Sequence, residues 1–206
     1  MCERIDALTA RQIMGKHFIG PEALSRLDKL ALQIPETPAP IPFSRQELEQ
    51  KRDDYLLILG VNALWDGTQV TIRRLKALFG QDPERAEPCF YNQDWYDHEA
   101  FIDIPMQTGW FLIKKEVYDS SRAVQSDELM KAHAFPPAIR CVYAFFVAWY
   151  ALGTQLWVHD FVWCSDTDHN GDRIYVGKYH DVDGVNKNGF SIHRHLALRP
   201  CYGCID

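Results

Sequence analysis

Four groups of residues have the types and spacing that binding or catalysis needs. The first is an acidic loop, residues 166–172, in which oxygen-bearing side chains alternate before a glycine: Asp166, Asp168, Asn170 and, after Gly171, Asp172. Carboxylate and amide oxygens at alternating positions around a sharp turn are how a calcium loop begins. The twelfth position, however, is Gly177 where a bidentate glutamate is required. We therefore favour a hairpin turn with solvated acids and keep calcium as the alternative.

The second group offers nitrogen and sulfur ligands late in the chain. His193 and His195 would share one face of a strand because side chains alternate along it. Cys201 and Cys204 form a CxxC pair. Two imidazoles and two thiolates are a set that tetrahedral zinc accepts, but one CxxC pair is also compatible with a reduced structural tail. We favour no metal at either group and predict no other cofactor.

The third group is His159 and Asp160 with the nearby Cys164 and Ser165. A cysteine or serine nucleophile needs a base within hydrogen-bond reach. Neighbouring residues of a strand point to opposite faces, so His159 and Asp160 do not form a catalytic pair by adjacency. No nucleophile elbow or cysteine-protease signature surrounds either nucleophile. Buried cysteines and a hydrogen-bonded histidine are the favoured interpretation.

The fourth group is an aromatic segment, residues 91–98, in which amides and carboxylates lie between aromatic rings. Aromatic faces beside oriented hydrogen-bonding groups suit the binding of a polar ring, a sugar or a peptide. We favour a loop that seals the edge of a sheet and keep ligand binding as the alternative. If the protein has a ligand, the residues that we predict to contact it are Tyr91, Asn92, Asp94, Trp95 and Tyr96.

Two hypotheses about function follow from these groups. The first is a non-enzymatic domain that binds a small polar ligand or a protein through the aromatic segment and the acidic loop. The second is a hydrolase that uses His193, His195 and a carboxylate, Asp160 or Asp183, with or without a metal. No glycine-rich phosphate loop is present, so nucleotide binding is unsupported. We favour the binding domain.

Composition sets the class of protein. A chain of 206 residues with 47% apolar and 13% aromatic residues can bury a substantial core. The net charge of −6, without a lysine or arginine cluster, disfavours binding to nucleic acid or to an anionic membrane. The first residues contain no apolar signal region, and the six cysteines are scattered. We therefore expect a cytoplasmic protein with reduced thiols.

The element that must organise these groups is a helix predicted over residues 138–152. Arg140 is its only charged residue, Pro137 precedes it and Gly153 follows it, an order typical of a helix start and end. Large apolar side chains occur all round the helix, which indicates burial on several sides.

Strands dominate the later part of the sequence. The composition predicts strands over 157–164, 173–179 and 190–198, with Asn170-Gly171 as a hairpin turn in which both residues accept positive φ. Helical patterns come earlier in the chain. We therefore predict an α+β fold in which a mostly antiparallel sheet packs on a buried central helix.

The domain boundary is predicted from prolines. Four prolines lie within residues 35–42, and such a segment is extended and cannot supply a full hydrogen-bond ladder. We therefore predict a helical appendage over 1–34, a linker over 35–43 and a single α+β domain over 44–206.

Several short segments resemble landmarks of a family of uncharacterised bacterial proteins. They are Gly109-Trp110-Phe111-Leu112-Ile113, Asp119-Ser120, Pro137-Ala138 and the stretch 165–177. The resemblance covers roughly the last 120 of the 206 residues. It implies no activity and assigns no catalytic residue.

Overall fold

A computed structural model describes residues 5–82, 87–179, 189–194 and 198–206. Within these ranges the helices are α1 (Ala7–Met14), α2 (Pro21–Leu24), α3 (Arg45–Lys51), α4 (Ile72–Phe79), α5 (Ser126–Leu129) and α6 (Ala138–Leu152). The strands are β1 (Phe18–Ile19), β2 (Tyr55–Gly60), β3 (Gly109–Lys114), β4 (Phe161–Thr167), β5 (Arg173–Tyr179), β6 (Gly189–His193) and β7 (Tyr202–Gly203). No helix in these ranges is long and apolar enough to cross a membrane.

The strands form two small mixed sheets. In the first, of order β1-β2-β3, β1 is parallel to β2 and β3 is antiparallel to it. In the second, of order β6-β5-β4-β7, only the β4–β7 pair is parallel. The predicted α+β class is confirmed. The sheets differ from a purely antiparallel arrangement because two-residue strands, β1 and β7, add parallel edges.

Helix α6 lies between the two sheets and is buried along most of its length. The Tyr143 hydroxyl donates to the carbonyl of Leu59 in β2 at 3.0 Å. On another side, the ring centroid of Phe145 lies 4.6 Å from that of Phe190 in β6. Phe146 stacks on Phe79 of α4, with centroids 4.0 Å apart. The prediction of a central helix packed on several sides is therefore confirmed.

The first turn of α6 is completed by a residue from another element. Pro137, the residue that precedes the helix, has no side-chain acceptor for the free amides of the first turn. The Asp166 carboxylate in β4 instead accepts from the Ala138 amide at 2.6 Å. At the other end, Gly153 has a left-handed φ of 65°, which costs glycine little. The helix start thus depends on the second sheet.

Two local predictions about the second sheet need correction. Residues 157–160 are not part of β4, because Trp157 and His159 have φ of 51° and 68° and the strand begins only at Phe161. In the hairpin between β4 and β5, Gly171 has positive φ but Asn170 does not. The turn is longer than two residues, since the last β4–β5 pair is Thr167 with Arg173.

The N-terminal segment contributes to the same hydrophobic core as the rest of the chain. Ala10, Met14 and Leu24 are buried in one cluster with residues of α6 and both sheets. Strand β1 also pairs with β2. The division of the chain at the proline-rich segment stays a prediction.

We expect Phe146→Ala to lower the free energy of unfolding by about 3–5 kcal/mol, because it removes a fully buried ring that packs against Phe79 and Phe90. Leu8→Ala, at a side chain that is largely exposed, should change it by less than about 0.5 kcal/mol. Urea denaturation of both variants measures this. Equal losses in the two would contradict the central position of α6.

Candidate functional site

The aromatic segment and the residues just before it cover the free edge of β6. The backbone of residues 89–91 makes two hydrogen bonds of 2.9 Å with Phe190. Side chains then continue the pairing: the Ile192 amide donates to Gln93 Oε1 at 3.2 Å, and the Trp95 indole donates to the Ile192 carbonyl at 3.0 Å. An exposed edge strand invites pairing with other chains, and this arrangement blocks it. The segment therefore seals the sheet edge, which agrees with the favoured interpretation of the sequence.

Sealing the edge leaves only part of the segment available to a ligand. Asn92 and Asp94 are exposed, and Tyr91 and Trp95 are half-buried. Tyr96 is completely buried, and burial, followed by the charge of Asp97, raises the pKa of its hydroxyl. The Tyr96 ring thus belongs to the core, and the ligand contact expected for it is not available at the surface.

A groove with a volume of about 820 Å³ lies between α4 and the end of the aromatic segment. Its charged and polar lining consists of Arg73, Lys76, Gln81, Asp97 and His98. Lys76 Nζ donates to Asp97 Oδ1 and to the Gln93 carbonyl, each at 2.6 Å. Arg73 donates to both carboxylate oxygens of Asp103, at 2.7 and 2.9 Å. Positive and negative groups are therefore held side by side along one concave surface.

Next to this groove, four charged or titratable residues join the aromatic segment to the acidic loop. We call Glu99, Asp168, His169 and Arg194 the loop junction. His169 Nδ1 lies 2.6 Å from Glu99 Oε1, and the His169 amide donates to Glu99 Oε2 at 3.0 Å. Arg194 Nη1 lies 2.9 Å from Asp168 Oδ2 and 3.9 Å from Glu99 Oε1. Two loops and the end of β6 thus meet at one point.

Burial differs sharply within the loop junction. The side chains of Glu99 and Asp168 are 6% and 0% exposed, whereas those of Arg194 and His169 are 38% and 67% exposed. The Arg194 guanidinium also lies over the Trp95 ring, 4.9 Å from its centroid. The two carboxylates therefore form a buried floor, and the imidazole faces solvent.

Asp168 shapes the acidic loop from within. Its Oδ1 accepts from the amides of Asn170 and Asp172 at 2.9 and 2.8 Å, which closes the turn around Gly171. Burial acts to raise the pKa of Asp168, but the Asp172 amide and the Arg194 guanidinium outweigh burial, and the net shift is downward. Asp168 is accordingly held as a carboxylate.

The acids proposed for a calcium loop do not form one cluster. Asp166 turns away to α6, where its carboxylate accepts from the Ala138 amide, and burial raises its pKa. In the described part of the chain, Glu99, Asp168 and His169 form the one group in which three potential ligand atoms from histidine, cysteine or acidic residues lie within 4.8 Å of one another. Calcium binding by Asp166, Asp168, Asn170 and Asp172 therefore lacks support from the geometry.

The residues proposed for zinc do not converge either, as far as the described ranges show. His193 stacks on Tyr175 with ring centroids 5.6 Å apart and lies 3.4 Å from the Gln93 amide nitrogen. Cys204 is buried and Cys201 is half-buried, and both are free thiols whose pKa values burial raises. His195 lies outside the described residues.

The described hydrolase candidates, His193 and Asp160, have different hydrogen-bond partners. Asp160 binds Arg122 through two hydrogen bonds of 2.5 and 2.9 Å. His193 contacts Gln93 and aromatic rings instead. Asp183, the alternative carboxylate, lies outside the described residues, as does His195.

The two nucleophile candidates differ in burial. Cys164 is completely buried, and its pKa is raised by burial and by its contact with Cys141. A buried thiol with a raised pKa is a poor nucleophile, because the thiolate is the reactive form. Ser165 is exposed, and its backbone amide donates to the Pro136 carbonyl at 3.0 Å. The interpretation of Cys164 as a buried cysteine agrees with this geometry.

Three residues of the loop junction were not candidates from the sequence: Glu99, His169 and Arg194. Glu99 and His169 are 70 positions apart, and no local pattern pairs an acid with a histidine at that distance. The only available signal was that each lies in or beside a segment already singled out. Their convergence is a property of the tertiary structure.

No family model, curated protein or solved structure matches this chain. The resemblance to a family of uncharacterised bacterial proteins stays a prediction.

We expect stability to fall as the pH drops from about 6.5 to 4, partly through His193. Burial, with a smaller effect from Arg199, lowers the pKa of His193 from 6.5 to about 4. In this window the unfolded chain takes up a proton that the folded chain does not, so stability present above pH 6.5 is lost as the pH falls. The contribution is about 2–3 kcal/mol.

Urea denaturation at both ends of this window measures the effect. The loss of stability between them should be smaller in His193→Gln than in the unmodified protein. His133→Gln, at a half-buried histidine that contacts Tyr118, should keep the full loss and serves as the control. An equally steep loss in His193→Gln would show that this imidazole is not the source.

Proposed function

We propose that this protein is a non-enzymatic binding domain that takes a small polar ligand in the groove between α4 and the aromatic segment. The observation that carries the proposal is the groove itself, whose volume of about 820 Å³ falls in the range of small-molecule sites. The aromatic segment supplies Asp97 and His98, and α4 supplies Arg73 and Lys76.

The charges of the groove indicate the class of ligand. Arg73 and Lys76 each have a carboxylate partner, Asp103 and Asp97 respectively. A ligand with a single strong charge would be attracted by one member of each pair and repelled by the other. A ligand that carries both signs, or a neutral ligand with several hydrogen-bonding groups, can add to them. Free amino acids and monosaccharides are therefore the first classes to test.

One cation of the groove, Lys76, is held in place by several contacts. Lys76 Nζ lies 4.4 Å from the centroid of the buried Tyr96 ring while it binds Asp97 and Gln93. Gln93 in turn is held by β6 through the Ile192 amide. A ligand would thus meet side chains that are already positioned, which lowers the entropy cost of binding.

A second candidate function is a hydrolase, and one observation favours it. Glu99 holds Nδ1 of His169 while the rest of this imidazole is exposed. A carboxylate at one ring nitrogen orients a histidine so that the other nitrogen can act as a general base. His193 and Asp160, the residues first considered for this role, do not share a partner, so His169 takes their place in this alternative.

The binding proposal predicts shifts of backbone amide resonances in and around the groove when free amino acids or monosaccharides are added at up to about 10 mM. Arg73→Gln should weaken the binding of any probe that shifts them by about tenfold or more, because it removes a groove cation. Arg26→Gln is the matched control, since Arg26 is also an exposed arginine paired with a carboxylate but does not line the groove. Unchanged spectra with both classes of probe would contradict the proposal.

The hydrolase alternative predicts that the protein hydrolyses p-nitrophenyl acetate above the background rate and that His169→Ala reduces this rate by about 100-fold or more. His133→Ala should leave the rate unchanged. An absorbance assay measures both variants. His169 would be excluded as a general base toward this ester by either of two results. The rate with the unmodified protein could equal the rate without protein, or the two variants could hydrolyse the ester at equal rates.

A further inference from the structure

The loop junction contains more buried negative charge than its one arginine balances. The carboxylates of Glu99 and Asp168 are both more than nine-tenths buried. Among the described residues, Arg194 is the only lysine or arginine within 4.0 Å of either. A buried charge is costly unless it is paired. Two carboxylates thus face one guanidinium, and a bound cation would compensate the excess of negative charge.

The donor atoms of this group are close enough to share one ion. The ligand atoms of Glu99, Asp168 and His169 lie within 4.8 Å of one another. Atoms bound to one ion at about 2.0–2.2 Å are separated by about 3–3.6 Å at octahedral or tetrahedral angles. Contraction by about 1–2 Å is therefore sufficient. One of the three residues, His169, is largely exposed, which leaves room for that adjustment.

The existing hydrogen bonds leave acceptor capacity for an ion. Asp168 Oδ1 accepts hydrogen bonds from the amides of Asn170 and Asp172, while Oδ2 accepts one from Arg194. An ionised carboxylate has about four acceptor sites, so Oδ2 keeps one free. At Glu99, Oε2 accepts a hydrogen bond from the His169 amide, and Oε1 faces Nδ1 of the His169 ring. An ion between Oε1 and Nδ1 would replace the hydrogen that now lies there.

We propose that the loop junction binds one divalent transition-metal ion, with Glu99, Asp168 and His169 as its protein ligands. One nitrogen and two carboxylate oxygens suit zinc, manganese or iron, whereas calcium prefers oxygen ligands only. Arg194 orients Asp168 and is not a ligand. The exposed side of His169 leaves coordination positions for water. This site is independent of the groove, and it stands if the groove binds no organic ligand.

Isothermal titration of metal-free protein with Zn²⁺ and with Mn²⁺ tests the proposal. We expect one ion per chain for at least one of the two metals, with a dissociation constant of about 10 μM or lower. His169→Gln should weaken binding at least tenfold and should fold normally, because its side chain is largely exposed. Glu99→Gln should weaken it similarly. His133→Gln, which removes a histidine outside the loop junction, should bind as the unmodified protein does.

Three results would overturn the metal site: no binding of either ion at about 1 mM, unchanged affinity in His169→Gln, or Ca²⁺ binding as tight as that of Zn²⁺ and Mn²⁺. Circular dichroism shows whether each variant folds, and His169→Gln decides the outcome if the buried Glu99→Gln does not. Failure of this site is distinguishable from failure of the groove, because His169→Gln should leave the Arg73-dependent binding of amino acids or sugars intact.

Discussion

The structure depends on the burial of α6 between two small sheets. A three-stranded and a four-stranded sheet expose apolar faces, and α6 covers both at once. The helix can do so because its apolar side chains point in all directions. Tyr143 adds one directional contact, a hydrogen bond to the Leu59 carbonyl, inside an otherwise apolar interface. The position of each sheet relative to the other therefore follows from the helix.

The irregular segments near the site are held by backbone groups of the core that have no partner within a helix or a sheet. Edge strand β6 has unpaired backbone groups, and the chain around the aromatic segment satisfies them first with its backbone and then with Gln93 and Trp95. The start of α6 has a free amide, and Asp166 of β4 satisfies it. Both contacts obey the rule that buried backbone groups need partners. The two segments that looked most like binding loops thus serve the fold as well.

The charged groups collect where those two segments meet. Glu99 follows the aromatic segment, Asp168 and His169 belong to the acidic loop, and Arg194 follows β6. Sealing of the sheet edge brings the first segment to β6, and the β4–β5 hairpin brings the second to the same place. The aromatic segment also supplies Asp97 and His98 to the groove with Arg73 and Lys76. The segment that covers the sheet edge therefore contributes to one candidate site and adjoins the other.

The sequence by itself determined the features that depend on near neighbours. The apolar run between Pro137 and Gly153 specified the whole of α6, including its start and its end. Tertiary structure decided the features that join distant residues. The positive φ of Trp157 and His159, which delays β4 to Phe161, has no local signal. Glu99 and His169 are 70 positions apart. They meet because of how the chain packs and not because of their spacing in the sequence. Residue types limited which chemistry was available, and only the fold decided which of those residues meet, because convergence is set by how the sheets pack on α6.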